Sequence, residues 1–203
     1  LSSQTPAGIL FETDLRLRPN GDAGLLAVTV DAFRDYQLKH AWTWEHQALT
    51  RARYCAGDKS VGARFETIRC EILQQPRDLD KLREEVVAMR RKMYDAHASK
   101  SDSHFDLKHD PGGIIDVEFI VQYLVLGHAH RHPELTGNLG NIALLRIAGE
   151  LGLIAPAAAL AAGNAYREYR RLQHARRLSA TPKAPVPRDE VDTRIVAVDA
   201  LWR

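Results

Sequence analysis

This sequence has few cysteines, a small net charge and no long apolar run, and each of these features excludes a class of protein. The two cysteines, Cys55 and Cys70, are too few for a disulfide scaffold or a four-thiolate zinc site, so we expect a reducing, cytoplasmic setting. The net charge of +2 does not by itself indicate a nucleic-acid or membrane surface. The longest apolar stretch, residues 114–126, is interrupted by Asp116 and Glu118 and is shorter than the ~20 residues that a bilayer requires. We therefore expect neither nucleic acid nor a membrane as a partner.

What remains is the composition of a folded protein. Apolar residues make up 45% and charged residues 27% of the sequence, which excludes a disordered, collagen-like or low-complexity chain. The length of 203 residues suits one ordinary domain or two small ones. Because the chain begins at Leu1 rather than at a methionine, we expect it to be a piece of a longer protein.

The first 28 residues differ from the rest in their pattern. Between Ile9 and Arg18, apolar and charged residues alternate, which predicts a half-buried strand with one fully charged face. Residues 19–21, Pro-Asn-Gly, are typical of a turn that ends the strand. Residues 24–28 then predict a short second strand.

The remaining sequence is predicted to be helical. Apolar residues recur there at steps of three and four, as in amphipathic helices that pack in a bundle. Residues 114–129 are apolar almost all round and predict the central helix, while residues 95–111 and the proline-rich residues 180–188 predict linkers. The fold class is therefore mostly α with a small β part (α+β). Other helices are predicted around Phe33–His40, Phe65–Ile72 and Leu79–Met93, at 141–151 and 156–178, and around Val191–Trp202.

The charged face of the first strand is the candidate site. It carries Glu12, Asp14, Arg16 and Arg18. A carboxylate with arginines two and four residues later places fixed cations beside a possible metal ligand, and Mg²⁺ prefers such oxygen ligands while guanidinium groups bind phosphate. Two-metal nucleotidyl transfer uses carboxylates in this way. The alternative is an ordinary exposed strand face with cross-strand ion pairs, which the pattern alone leaves open.

Longer motifs resemble a known family. They are Phe-Glu-Thr-Asp-Leu-Arg-Leu-Arg-Pro-Asn-Gly at residues 11–21, Ala-Trp-Thr-Trp-Glu-His at residues 41–46, and Gly-Gly-Ile-Ile-Asp-Val-Glu-Phe at residues 112–119. Over about residues 8–178 the sequence resembles the glutamine synthetase adenylyltransferase/adenylyl-removing enzymes. The Trp-Thr-Trp-Glu-His segment is similar to the C-terminal, adenylylating half of that family.

This resemblance implies a domain organisation and an activity. Residues 1–58 would be the C-terminal part of an incomplete nucleotidyltransferase-like domain, and residues 59–203 would be a helical bundle domain. The implied activity moves AMP from ATP to a tyrosine of glutamine synthetase, releases pyrophosphate and regulates nitrogen assimilation. The implied cofactors are Mg²⁺ and ATP. The implied partners are glutamine synthetase, the PII signal protein and glutamine as an effector.

The resemblance also assigns roles to individual residues. Asp14 matches the third metal-binding carboxylate of the nucleotidyltransferase pattern, with Glu12 as the alternative metal ligand on the same face. Arg16 and Arg18 match the two arginines of the family's Asp-x-Arg-Leu-Arg-Pro motif, and we expect them to contact the phosphates of ATP as catalytic and nucleotide-binding residues. Glu45 is a further candidate for contact with the nucleotide, and an ion pair facing the bundle is its alternative role.

Part of a complete nucleotidyltransferase site is absent from this sequence. No Gly-Ser or Gly-Gly turn followed by an Asp-x-Asp pair lies upstream of Asp14. The Gly-Gly at residues 112–113 precedes Asp116 and Glu118, but on a helix those two acids lie about 200° apart and cannot share one metal. We expect Asp116 to cap or charge the start of a helix, and Glu118 to pair with a buried arginine. The chain is therefore expected to be inactive alone.

Two further features have binding and structural alternatives. Trp42 and Trp44 could stack on adenine, or they could anchor packing near a domain junction. The second feature is a basic stripe. It could dock glutamine synthetase, PII or the other half of the enzyme, and the chain would then be a regulatory binding module. Alternatively, the stripe could be a solvated face. A third interpretation of the family resemblance is a related nucleotidyltransferase with another acceptor protein, such as the PII uridylyltransferase. The basic stripe consists of Arg167, Arg170, Arg171, His174 and Arg177.

Overall fold

The computed structural model describes residues 4–6, 8, 14–15, 18–97, 101, 103–179 and 185–202. Within these residues the chain forms eight α-helices and two short strands. The helices are α1 (Val30–Lys39), α2 (Thr43–Leu49), α3 (Lys59–Leu73), α4 (Leu79–His97), α5 (Ile114–His128), α6 (Asn141–Glu150), α7 (Pro156–Leu178) and α8 (Asp192–Asp199), and the strands are β1 (His104–Phe105) and β2 (Val186–Pro187).

The predicted mostly helical class is confirmed, and each predicted helix is present. The predicted strand at residues 24–28 is wrong: these residues follow a 3₁₀ turn at Gly21–Ala23 and form no strand. Leu25 and Leu26 are 75% and 69% exposed, so their side chains have no apolar layer to pack against. Most of the predicted first strand lies outside the described residues. The nucleotidyltransferase-like end therefore stays a prediction.

The chain divides into two compact units, Leu1–Ile72 and Leu73–Arg203. The first unit contains α1, α2 and nearly all of α3, and the second contains α4 to α8 with both strands. The domain boundary expected after residue 58 stays a prediction.

Hydrogen bonds at helix ends organise the first unit. The hydroxyl of Thr29 accepts the backbone N–H of Ala32 at 3.2 Å, which caps the start of α1. The side chain of Arg69 is fully buried in α3 and donates to the carbonyl oxygens of Leu49 and Thr50, at 3.2 and 3.1 Å. This arginine therefore ties the carboxyl end of α2 to α3, where the last carbonyl groups of a helix need donors.

Helix α5 lies at the centre of the second unit. Eleven of its residues are buried, as expected for a helix that is apolar almost all round. It packs against α4, α6 and α7. Small residues allow α6 and α7 to approach closely, since a Cβ atom at Gly149 would lie only 3.1 Å from the side chain of Ala159.

The second unit also contains a small sheet formed by the two short strands, β1 and β2. They pair in antiparallel register, with His104 opposite Pro187 and Phe105 opposite Val186. Phe105 and Val186 are fully buried, so neither expected linker is only a polar or extended spacer. Residues 180–184 of the second linker lie outside the described residues.

The last helix packs as its pattern predicts. Val191, Ile195 and Val198 are buried. The backbone at Gly112 comes so close to α8 that a Cβ atom there would lie 2.8 Å from Cγ2 of Ile195, and the φ of +83° at Gly112 also favours glycine. Among the described residues, none of the helices combines the length and apolar character needed to cross a membrane.

Candidate functional site

The structure describes three of the five predicted site residues. Asp14, Arg18 and Glu45 are described, whereas Glu12 and Arg16 lie outside the described residues. Arg18 and Glu45 line one cavity in the first unit. Asp14 is exposed and is not among the described residues that line this cavity.

Arg18 combines burial with unused hydrogen-bonding capacity. Its side chain is 19% exposed, and one terminal nitrogen lies 3.8 Å from a carboxylate oxygen of Asp22. The same nitrogen donates to the carbonyl oxygen of Leu15. The Nε atom is buried, and no acceptor among the described residues lies within hydrogen-bond distance of it. A guanidinium group with a spare donor is suited to bind an anionic oxygen.

The cavity beside Arg18 has a volume of about 300 Å³, at the lower end of the range for small-molecule sites. Its wall is mostly apolar and includes the ring of Phe33, which packs against Phe65 with 5.7 Å between ring centroids. Gln37 is 7% exposed, and its Oε1 atom has no donor among the described residues. The cavity can therefore enclose a flat apolar group and offer polar contacts at its edge. The lining residues are Arg18, Pro19, Phe33, Gln37, Glu45, Ala48, Leu49, Arg51, Ala52 and Phe65.

Sequence reasoning did not identify Gln37 as a site residue. The available signal was its position four residues after Phe33, on the same face of α1. An amide on the apolar face of a helix is buried with a partner or faces a polar ligand. The unpartnered Oε1 atom in the structure makes it a candidate of the second kind.

Glu45 already has two partners within the protein. One carboxylate oxygen accepts the backbone N–H of Trp42 at 2.8 Å, which helps to start α2. The other accepts the hydroxyl of Tyr36 at 2.9 Å. Burial and this carboxylate together raise the pKa of Tyr36 above its ordinary value, against the opposing effect of a backbone hydrogen bond at Asn20, so the hydroxyl stays a donor. A nucleotide contact by Glu45 remains a prediction.

The two tryptophans of the same segment are exposed. Trp42 is 70% and Trp44 40% exposed. Within the described residues, Trp42 therefore does not anchor packing, and the two alternative roles of these rings, stacking on adenine and packing near a domain junction, stay predictions. The ring of Trp42 is accessible for stacking or for contact with another surface.

The Gly-Gly segment before α5 has the structural role that the spacing predicts. Asp116 accepts the Nε–H of Arg90 with one oxygen and the N–H of Gly112 with the other. Glu118 accepts the hydroxyl of Tyr166 at 3.2 Å. A buried arginine, Arg90, pairs with Asp116, because α4 presents it to the first turn of α5. The expected pairing of Glu118 with a buried arginine stays a prediction.

The described residues do not form a metal site on their own. No three histidine, cysteine, aspartate or glutamate side chains among them are grouped closely enough to hold a metal ion. Mg²⁺ is normally held by six oxygen ligands, several of which can be water. The described part of the chain therefore does not complete the coordination of an ion at Asp14, and the metal role of Asp14 stays a prediction.

The basic stripe on α7 is partly neutralised within the protein. Arg171 donates two hydrogen bonds to Glu168, at 2.9 and 2.7 Å. This hydrogen-bonded arginine holds the pKa of Glu168 below its ordinary value despite slight desolvation. Arg170 donates to Gln173 at 3.0 Å, while Arg167 and Arg177 are exposed. Intramolecular pairing thus accounts for part of the stripe.

Comparison with known families separates the chain into two matched regions. Residues 1–68 match the family model described as glutamate-ammonia ligase adenylyltransferase. Residues 80–184, more than half of the chain, match the family model described as GlnD PII-uridylyltransferase. This match places the chain in the class of proteins whose sequences match the GlnD PII-uridylyltransferase family model.

Similar curated proteins identify one family within this class. The bifunctional glutamine synthetase adenylyltransferase/adenylyl-removing enzyme of Aromatoleum aromaticum is 66% identical over 202 residues, covering 100% of this chain and 21% of that protein. The proteins with the same name from Bordetella bronchiseptica and Chromobacterium violaceum are 58% and 53% identical over 203 residues, covering 100% of this chain and 22% of each relative. The chain belongs to this family of bifunctional glutamine synthetase adenylyltransferase/adenylyl-removing enzymes. It spans about a fifth of the length of these relatives.

Proposed function

We propose that this chain is part of an adenylyltransferase that transfers AMP from ATP to a tyrosine of glutamine synthetase and thereby regulates nitrogen assimilation. The observation that carries the proposal is the match of residues 1–68 to the adenylyltransferase family model, because this region contains Asp14, Arg16 and Arg18. The names of the relatives support glutamine synthetase as the protein substrate. The similarity of residues 41–46 favours the adenylylating half of the enzyme.

The proposed reaction requires positive charge beside the phosphates. The tyrosine hydroxyl oxygen forms a bond to the α-phosphorus of ATP, the bond from that phosphorus to the oxygen bridging to the β-phosphate breaks, and pyrophosphate leaves while the hydroxyl gives up its proton. Arg16 and Arg18 would bind phosphate oxygens and stabilise the charge that develops on the leaving group. The spare Nε–H of Arg18 supports this role.

Asp14 would hold Mg²⁺ together with carboxylates elsewhere in the full-length protein, and Glu12 is its alternative. When bound, Mg²⁺ neutralises phosphate charge and orients the reacting oxygens. Because the described residues do not complete a metal site, we also propose that the isolated chain is inactive.

The cavity beside Arg18 would receive the adenosine end of ATP. Phe33 and Phe65 supply apolar surface for a flat base, and the Oε1 atom of Gln37 can accept a hydrogen bond from an exocyclic amino group. Glu45 borders the same cavity, although its oxygens already serve Tyr36 and Trp42. Binding of PII and of glutamine as an effector, and a cytoplasmic location, belong to the same proposal.

The test uses the full-length protein, glutamine synthetase, Mg²⁺ and ATP labelled at the α-phosphate. We expect Asp14→Asn and Arg18→Gln each to lower label transfer by about 10²-fold or more, the effect of removing one charge-stabilising group at a reacting phosphate or acyl centre. Asp35→Asn is the matched control, because Asp35 is an exposed carboxylate on α1 that pairs with Lys39. Glu12→Gln shows which of the two strand acids matters more.

A folded Asp14→Asn variant with full transfer activity would contradict the proposed metal role. The regulatory binding module would then be favoured, since Arg167, Arg171, His174 and Arg177 are exposed on α7. In that case neutral substitutions of the arginines in the basic stripe should weaken binding to glutamine synthetase or PII while Asp14→Asn does not.

A further inference from the structure

A second cavity is lined by residues of the second unit, and none of these residues is assigned to adenylyl transfer. Its volume is about 360 Å³. Helix α4 forms one wall with Val87, Arg90 and Tyr94, the first turn of α5 adds Asp116, and Trp202 lies on the wall after α8. The cavity is large enough for a small metabolite and has mostly apolar walls.

Two buried donors on residues of this wall have no acceptor among the described residues. Arg90 is 7% exposed, and it uses Nε to bind Asp116 and Nη2 to bind the carbonyl oxygen of His109 at 2.8 Å. Its Nη1 atom is buried without an acceptor among the described residues. The indole Nε1 of Trp202 is buried without one in the same part of the chain. Buried donors without acceptors cost free energy, and both residues line this cavity, so a ligand whose acceptor reaches these two donors would recover part of that cost.

The carboxylates already on the wall do not fill this role. Both oxygens of Asp116 are occupied, one by Arg90 and the other by the backbone N–H of Gly112. Asp199, the other acid on the wall, also interacts within the protein. A guanidinium group binds a carboxylate more strongly than it binds a neutral acceptor. The rings of Tyr94 and Trp202 and the side chain of Val87 then leave apolar space for the rest of a ligand.

We propose that this cavity binds a small organic acid, whose carboxylate accepts from Nη1 of Arg90 and Nε1 of Trp202. Its apolar body lies against Val87, Tyr94 and Trp202. The site is independent of the proposed adenylyl transfer, because none of its residues belongs to the first unit.

The three tryptophans of the chain allow a direct test. The 203-residue chain is titrated with acetate, isovalerate and 3-phenylpropionate, and the indole N–H signals are followed by nitrogen–proton correlation spectroscopy. Trp202→Phe identifies the Trp202 signal and removes one donor. We expect at least one acid to shift this signal, with the signals of Trp42 and Trp44 unchanged as internal controls. We also expect Trp202→Phe to weaken binding of that acid about tenfold, because the variant loses one charge-assisted hydrogen bond. Calorimetry measures this change in affinity.

Matched ligands and variants locate the site. Acetamide, isovaleramide and 3-phenylpropanamide have the shapes of the three acids without the charge, and we expect them to bind at least about tenfold more weakly. Val87→Phe should fill the cavity and abolish binding, and we expect it to fold because Val87 is 37% exposed. Val196→Phe makes the same change at a position on α8 that is 68% exposed, and binding should be unchanged.

Three results would overturn the proposal. One is a folded chain whose Trp202 signal does not shift when any of the three acids is present at about 10 mM, a concentration that would nearly saturate a site with a Kd of about 1 mM. Another is equal binding of the acids and their amides, which would exclude carboxylate recognition. The third is a folded Val87→Phe variant that binds as well as the unsubstituted chain, which would exclude this cavity.

Discussion

Asp116 places a carboxylate in the interior of the second unit, where its side chain is 5% exposed. The side chain of its partner, Arg90, is 9% exposed, so the two charges neutralise each other largely shielded from water. Such a pair adds little net stability compared with an apolar pair, but loss of one partner leaves an uncompensated buried charge. The pair is therefore expected to make the start of α5 sensitive to substitution.

At the scale of this residue, Asp116→Asn should lower the free energy of unfolding by about 3–5 kcal/mol, because Arg90 stays charged and buried. The measurement is urea unfolding of the 203-residue chain followed by circular dichroism. Glu150→Gln is the control in the same unit, since Glu150 pairs with Arg146 on the surface and an exposed pair contributes at most about 1 kcal/mol. Equal losses in the two variants would contradict the importance of burial.

The sequence predicted a structural role for Asp116 but not its partner. The helical period places Asp116 and Glu118 on different faces of α5, which excludes a shared metal from the sequence alone. The choice of Arg90 depends on how α4 packs on α5, and 26 residues separate Arg90 from Asp116. Gln37 was missed for a similar reason, because an unpartnered amide oxygen is visible only after α1 and its neighbours are in place.

Among the elements, the helices were predictable and the strands were not. The apolar residues of α4 recur over several turns, and α5 is apolar almost all round, so local sequence alone predicts both helices. Strands β1 and β2 contain two residues each, which is too short for an alternating pattern. They form because Phe105 and Val186 are buried together, and this depends on contacts between residues far apart in the chain.

A glycine substitution tests the packing of α8 on the turn before α5. Gly112→Ala should cost about 1–2 kcal/mol for the left-handed backbone and roughly 1–3 kcal/mol more for the clash with Ile195. Gly152→Ala is the matched control, because Gly152 also has a positive φ, of +72°, but a Cβ atom there has open space. Thermal unfolding of both variants measures the difference. If Gly112→Ala is no less stable than Gly152→Ala, the close approach of α8 has no energetic importance.

For the whole molecule, the division into two compact units predicts different behaviour for the two parts. A fragment of residues 73–203 should fold alone and unfold cooperatively, because α4 to α8 and both strands lie within it. A fragment of residues 1–72 should unfold with little cooperativity, since so short a chain buries a small share of its surface. Circular dichroism and proton spectra of the separate fragments check both expectations. A 73–203 fragment without a cooperative transition would show that the second unit is not independent.

Only those residues of the candidate site that lie within recognisable sequence motifs could be predicted from the sequence. The Asp-x-Arg-Leu-Arg-Pro motif identifies Asp14, Arg16 and Arg18 as candidates, and the match of residues 1–68 supports the family that the motif indicates. The cavity beside Arg18 could not be predicted, because its wall combines residues of α1, α2 and α3 with the turn after Arg18. The Gly-Ser or Gly-Gly turn and the Asp-x-Asp pair that the motif analysis expects are not found upstream of Asp14 in this sequence, which spans about a fifth of the length of its relatives.

The pairing of β1 with β2 has a mechanical consequence. Because the register is antiparallel, His104 and Pro187 lie side by side at one end of the pairing, where the chain enters β1 and leaves β2. Tension applied at these two points would load the outer pair first and open the strands one pair at a time, as a zipper opens, instead of shearing both pairs together. Helix α8 follows Pro187 along the chain and packs against α7, so a pull from its carboxyl-terminal side must detach α8 before it reaches the strand pair.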